Sequence, residues 1–233
     1  MKVSPKQFIN NVLSGVAIAI VSGLIPNAIL GELFKLLSPK YPIFETMLQV
    51  VESIQFTVPL LVGALIAMRF NLTPLATAVV ASSAFVGSGV AQFKDGVWML
   101  VGVGDLINTM ITAAIAVFFI LIVGERFGSL TLIILPTIVG GLAALIGVLI
   151  LPYIQMITTG IGNLVNSFTE LQPILMSMLI ALAFSFIIIS PISTVATALA
   201  IGISGLAAGS ASLGIVACEG VLVAGTMKMN RPG

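Results

Sequence analysis

The sequence predicts an all-α polytopic membrane protein, a helical bundle built from two structural repeats with broken or re-entrant helices. Three observations carry that prediction. Of 233 residues, 59% are hydrophobic and 7% charged, with a mean hydropathy of +1.24, whereas soluble domains carry roughly 25% charged residues. No charged residue occurs between Arg126 and Glu170 or between Glu170 and Glu219, and each gap admits two spans of roughly 20 residues. A shift of about 117 residues lays the first half over the second, with Asn71 on Ile188, and duplicated halves are a common plan of polytopic chains.

Continuous apolar runs, without the in-and-out alternation of barrel strands, make helices the economical way to satisfy the backbone in oil. Lys2 and Lys6 precede a run over residues 8–30 that is too long for a signal-peptide core, so it reads as the first span, with a cytoplasmic N-terminus. A mixed segment carrying Glu32, Lys35, Lys40, Glu45 and Glu52 follows and reads as interfacial or loop-like. Residues 54–68 form the next run, Arg69 and Asn71 interrupt it, and Thr73-Pro74 opens another that continues to about residue 93. Residues 97–123 read as one long span holding Asp105, ended by Glu125-Arg126. Further runs cover residues 130–151, 153–171, 173–189 and 191–213, and the last, 214–227, is short and contains Glu219.

The repeat superimposes NLTPLATAVVASSAFVGSG on IISPISTVATALAIGISGL, with Thr73-Pro74 over Ser190-Pro191 and Gln55 opposite Gln172. It implies a first membrane repeat over residues 1–124 and a second over 125–233. Chance alignment of two apolar, small-residue stretches is the alternative. The counterpart of residues 97–123 would run past the end of the chain, so additional C-terminal sequence is expected. Whether residues 73–93 cross fully or re-enter decides between inverted and parallel halves, and the reading favours inversion.

Glycine-rich, loosened backbone survives in a membrane only where protein buries it or a water-filled cavity meets it. SSAFVGSGVAQFKDG, with Gly87 and Gly89, and its counterpart GISGLAAGSASLG, with Gly205 and Gly209, therefore point to a cavity lined by backbone; close helix packing by small residues is the competing explanation. Asp105, Asn108 and Thr112 share a helical face and offer a carboxylate, an amide and a hydroxyl, equipment suited to a neutral polyol or sugar. Asp105 could equally lie near water at an interface. Glu52 and Gln55 form a second polar cluster or a helix start. Gln92 with Lys94-Asp95 is a site element or a plain turn. Ser190, Ser193 and Thr194 line the cavity or satisfy carbonyls freed by Pro191. Glu219 is a further intramembrane ionisable group.

Catalytic readings find no support. The chain has no histidine and one cysteine, Cys218, which removes the usual ligands of zinc and haem, phosphohistidine chemistry and any intrachain disulfide. Nucleotide, HExxH and CxxC motifs are absent from the sequence. No cofactor or metal is expected, and a net charge of +1 gives no reason to expect nucleic acid.

The segments SPKQFINNVLSGVAIAIVSGLIPNAILGELFK, QFTVPLLVGALIA, FVGSGVAQFKDG, GDLINTMITA and IIISPISTVATALAIGISGLAAG resemble the membrane subunit (EIIC) family of bacterial phosphotransferase systems, in the branch that includes regulators of perfringolysin-type toxin genes. The resemblance covers essentially the whole chain. It implies a multi-pass protein of the bacterial cytoplasmic membrane, a homodimer, that takes a sugar from outside and releases it inward, coupled to phosphorylation by a separate cytoplasmic phosphocarrier subunit. Members of the branch are longer than this chain. The family often uses a histidine and a glutamate near the sugar; this chain lacks histidine, so no catalytic residue carries over. A membrane sensor or regulator without transport, and a carrier of an ion or another metabolite, are the alternatives.

Overall fold

The computed structural model describes residues 3–124, 126–189, 203 and 205–229. The chain divides into two compact units, Met1–Ile154 and Gln155–Gly233.

In the first unit, Ser4 caps helix α1 (Pro5–Pro26) by accepting from the Gln7 amide at 3.3 Å, and Pro5 sits where a missing N–H costs nothing. Pro26 cannot donate back into the helix, and the chain widens into a π turn over Asn27–Gly31 before α2 (Glu32–Leu37). Helix α3 (Ile43–Gln55) buries little beyond Val51. It meets α4 (Val58–Arg69) at a 44° bend, where the Thr57 hydroxyl donates to the Ile54 carbonyl at 2.7 Å. The sequence reading placed its broken helices elsewhere, at the glycine-rich stretches, and took the segment before residue 54 as interfacial or loop-like, so this helix and its break are a difference from it.

Helix α4 is the centre of the unit, with Val58, Val62, Ile66 and Ala67 sealed from solvent. Its neighbours come close because they meet at glycine. A Cβ on Gly15 of α1 would lie 2.6 Å from the Ile66 Cα, and one on Gly63 would lie 2.6 Å from the Ala81 Cα of α5 (Pro74–Gly87). Backbone contact of this kind holds helices together where oil removes the hydrophobic drive for their association. Thr73 caps α5 and Pro74 opens it, as the sequence indicated.

Two differences from the sequence reading follow. The apolar run from Pro74 ends as helix at Gly87, not near residue 93. Strands β1 (Ala91–Lys94) and β2 (Val97–Leu100) then pair antiparallel, with Phe93 opposite Trp98. Asp95 and Gly96 have φ of 51° and 81°, the two left-handed residues of a type I′ turn, which suits a two-residue hairpin. The span read as residues 97–123 is therefore strand at its start and helix only over α6 (Leu106–Val123).

A 3-10 turn (Gly128–Leu130), α7 (Thr131–Ile134) and a second π turn (Leu135–Gly140) lead to α8 (Gly141–Leu171). The second unit holds the end of α8, α9 (Pro173–Ile189) and α10 (Gly205–Met229). Ile180, Phe184, Ala207 and Ala211 form its buried core. The Ser185 hydroxyl of α9 donates to the Ala181 and Gly214 carbonyls, each at 2.8 Å.

Among the described residues, four helical stretches are long and apolar enough to cross a membrane: Pro5–Leu37, Leu106–Val123, Gly128–Glu170 and Leu206–Gly225; the bent α3–α4 pair brings the number to five. Their outward faces carry large apolar side chains such as Ile18, Phe118, Leu149, Leu213 and Val216. An all-α polytopic membrane protein is the architecture observed.

Candidate functional site

Polar groups gather in the first unit where α5, α6 and the beginning of α8 meet. Asp105 caps α6, its Oδ1 accepting from the Asn108 amide at 2.8 Å. Its own amide donates to the Ser88 carbonyl at 2.8 Å, which fastens the start of α6 to the end of α5. Asn108 is fully buried. Its Nδ2 donates to the Gly87 carbonyl at 2.6 Å and to the Gly147 carbonyl at 2.8 Å, while Oδ1 is buried without a partner. Thr112, one turn on, donates to the Asn108 carbonyl at 2.8 Å. Ser83 of α5 donates to the Val79 carbonyl at 2.8 Å and to the Gly140 carbonyl at 3.1 Å.

This seam forms because its backbones are close. A Cβ on Gly147 would lie 2.9 Å from the Gly87 Cα, and both glycines face Thr112. Asn108 and Thr112 lie on one face of α6 and are turned into packed protein, whereas Asp105 is the extended residue that caps the helix and does not belong to its face. Asp105, at the helix start, is half-buried.

Gly87 and Gly89 are buried in protein. Gly89 has a φ of 72° and packs against Leu151, and its carbonyl accepts from Gln92 Nε2 at 3.1 Å. A helix end followed by a hairpin accounts for the loosened backbone. Gly205 and Gly209, by contrast, lie in the regular helix α10, so this stretch is not unwound. Small residues here allow close approach: Gly214 lies directly against the backbone of Ala181. Beside it, Leu182, Phe186, Leu213 and Cys218 line an open apolar groove of about 460 Å³.

The remaining residues are dispersed. Glu52 is exposed on α3 and Gln55 half-buried at its end, on the helix that packs against α2. Glu219 is exposed on α10 in the second unit. Ser190, Ser193 and Thr194 lie outside the described residues. Sequence reasoning marked the stretch that holds Ser83 and Ser88 without singling out either serine, and it missed Gly147; the partners of the three are 57, 17 and 39 residues away, beyond any local signal. Among the described residues, no three of His, Cys, Asp and Glu converge as metal ligands would.

A family model described as "Phosphotransferase system, EIIC" matches residues 10–233. That match speaks for the family as a whole and carries no indication of the toxin-regulator branch. No curated protein and no solved structure matches the chain.

Proposed function

The chain belongs to the phosphotransferase system EIIC family, and on that premise we propose that it is the membrane component that binds a sugar or related polyol and carries it across the bacterial cytoplasmic membrane. The observation that carries the reading is the buried seam around Asn108, with an acceptor oxygen lacking a donor. Buried polar groups are almost always paired, and a solute hydroxyl is one donor that could complete this one. Asp105 and Asn108 are the first solute-contacting residues proposed. Glu52, Gln55, Gln92, Ser190, Ser193, Thr194 and Glu219 are proposed as further contacts in other states of the carrier. Two repeats, residues 1–124 and 125–233, would move against each other about the site. The helix break before α4 and the break before α9, at Gln172, fall near repeat-related positions and support this division; the hairpin has no counterpart, since its shifted positions fall within α10. Phosphorylation of the solute would come from a separate cytoplasmic phosphocarrier, and the working unit would be a homodimer.

The test uses the reconstituted chain in sealed vesicles, with a panel of radiolabelled sugars and polyols followed by binding and by exchange across the bilayer. Saturable binding with exchange is expected. Binding without exchange would instead identify a membrane sensor, and failure of every sugar and polyol to bind would overturn the proposal.

A further inference from the structure

The two faces of the β1–β2 hairpin differ, one apolar with both aromatic rings and the other mixing Gln92 and Lys94 with Val97 and Met99. Cross-strand pairing puts Ala91, Phe93, Trp98 and Leu100 on one side and Gln92, Lys94, Val97 and Met99 on the other. The Phe93 and Trp98 rings touch, with centroids 5.3 Å apart, yet they remain 61% and 71% exposed, and Leu100 is 50% exposed.

Neither water nor oil suits this element alone. In water the apolar face stays uncovered, and a lone two-stranded hairpin is marginally stable at best. In hydrocarbon, the outward N–H and C=O groups of a two-stranded ladder would have nothing to bond. The headgroup layer supplies both needs, and tryptophan is enriched there because one end of its ring is apolar and the other a donor. Position agrees with this. The hairpin connects the end of α5 to the start of the spanning helix α6, and its base is closed by the bonds from the Val101 amide to Val90 and from the Asp105 amide to Ser88, both 2.8 Å. A spanning helix that starts at Leu106 puts the preceding residues at the edge of the oil.

We propose that the hairpin is an interfacial anchor whose Phe93–Trp98 face rests on the acyl chains at the N-terminal end of α6, with Lys94 among the lipid phosphates. This role goes beyond solute binding and does not depend on it.

Trp98 is the single tryptophan of the chain, so its emission reports on the hairpin without a label. The full chain is reconstituted in phosphatidylcholine vesicles with bromine either near the headgroups or at the bilayer centre, or in plain vesicles with iodide in the water. The largest loss of emission is expected from the shallow bromines. Iodide quenching as complete as for free tryptophan, strongest quenching by the deep bromines, or protection from all three quenchers, as a second copy covering the hairpin would give, each overturns the proposal. Placing a charge on the apolar face with Leu100→Asp should shift Trp98 toward iodide, whereas Met99→Asp on the other face should not. Equal shifts from the two would refute the assigned facing.

Discussion

The side-chain amide of Asn108 on α6 donates to the carbonyl of Gly147 on α8 at 2.8 Å, a bond between residues 39 apart in sequence. With the second bond to Gly87, it ties three helices at one buried point. Asn108 is sealed from solvent by protein, so no water is at hand to take over if that point is cut.

Asn108→Ala should therefore lower stability by about 1–3 kcal/mol, the usual cost of stranding buried hydrogen-bonding groups, measured by denaturant unfolding in mixed micelles. Asn108→Asp should lose stability too, because an ionised carboxylate has no proton to donate and would face the Gly87 and Gly147 carbonyls. A variant as stable as the parent chain would contradict the geometry.

Gly147→Ala should cost about 1–3 kcal/mol by forcing α8 away from Gly87 and Thr112. Gly209→Ala is the matched control, because nothing lies within 4 Å of the added methyl. There, helix propensity alone should yield a gain of up to about 1 kcal/mol. Thermal melts of the two variants in one detergent make the comparison.

Asp105 has a structural duty and a proposed solute duty, and two substitutions separate them. Asp105→Ala should lose the cap, at about 1 kcal/mol. Asp105→Asn keeps a capping oxygen and removes the charge, so the fold should hold while solute affinity drops about tenfold, a difference of about 1.4 kcal/mol. Isothermal binding titrations beside unfolding curves read both, and unchanged affinity would remove Asp105 from the solute site.

In the second unit, Ser185→Ala should cost only about 0.6 kcal/mol, typical of interhelical hydrogen bonds in membranes. Gly214→Ala should cost several times more, because the methyl would collide with the Ala181 backbone. Similar losses in steric-trapping measurements would mean that α9 and α10 are held by the hydroxyl and not by close approach.

Part of the fold was legible because oil leaves few options: the helix start at Thr73-Pro74 follows from runs of apolar residues and their punctuation, whereas charges scattered among apolar residues hid α3 and its break at Phe56-Thr57. The hairpin was not, since Val97, Trp98, Met99 and Leu100 are as apolar as the helix that follows and hydropathy merges them with it. Asp95-Gly96 was the one local turn signal. The spacing put Asn108 and Thr112 on one side of a helix but took Asp105, the extended cap before it, as part of the same face, and only the distant Gly147 reveals what that side meets. Glycine and serine around residue 209 read alike for unwound backbone and for tight helix packing, and composition cannot tell the two apart.

Helix α4 has 12 residues and α5 has 14, about 18 and 21 Å at 1.5 Å per residue. Neither matches a hydrocarbon layer of about 30 Å. Helix α4 makes up the length only together with α3 across the 44° bend, whereas α5 is shorter than the lipid is thick, a mismatch met by local thinning of the bilayer or by aqueous access to the helix ends. Either way, the bond from the Asp105 amide to the Ser88 carbonyl levels the end of α5 with the start of α6, so the shortfall falls at the Thr73 end of α5.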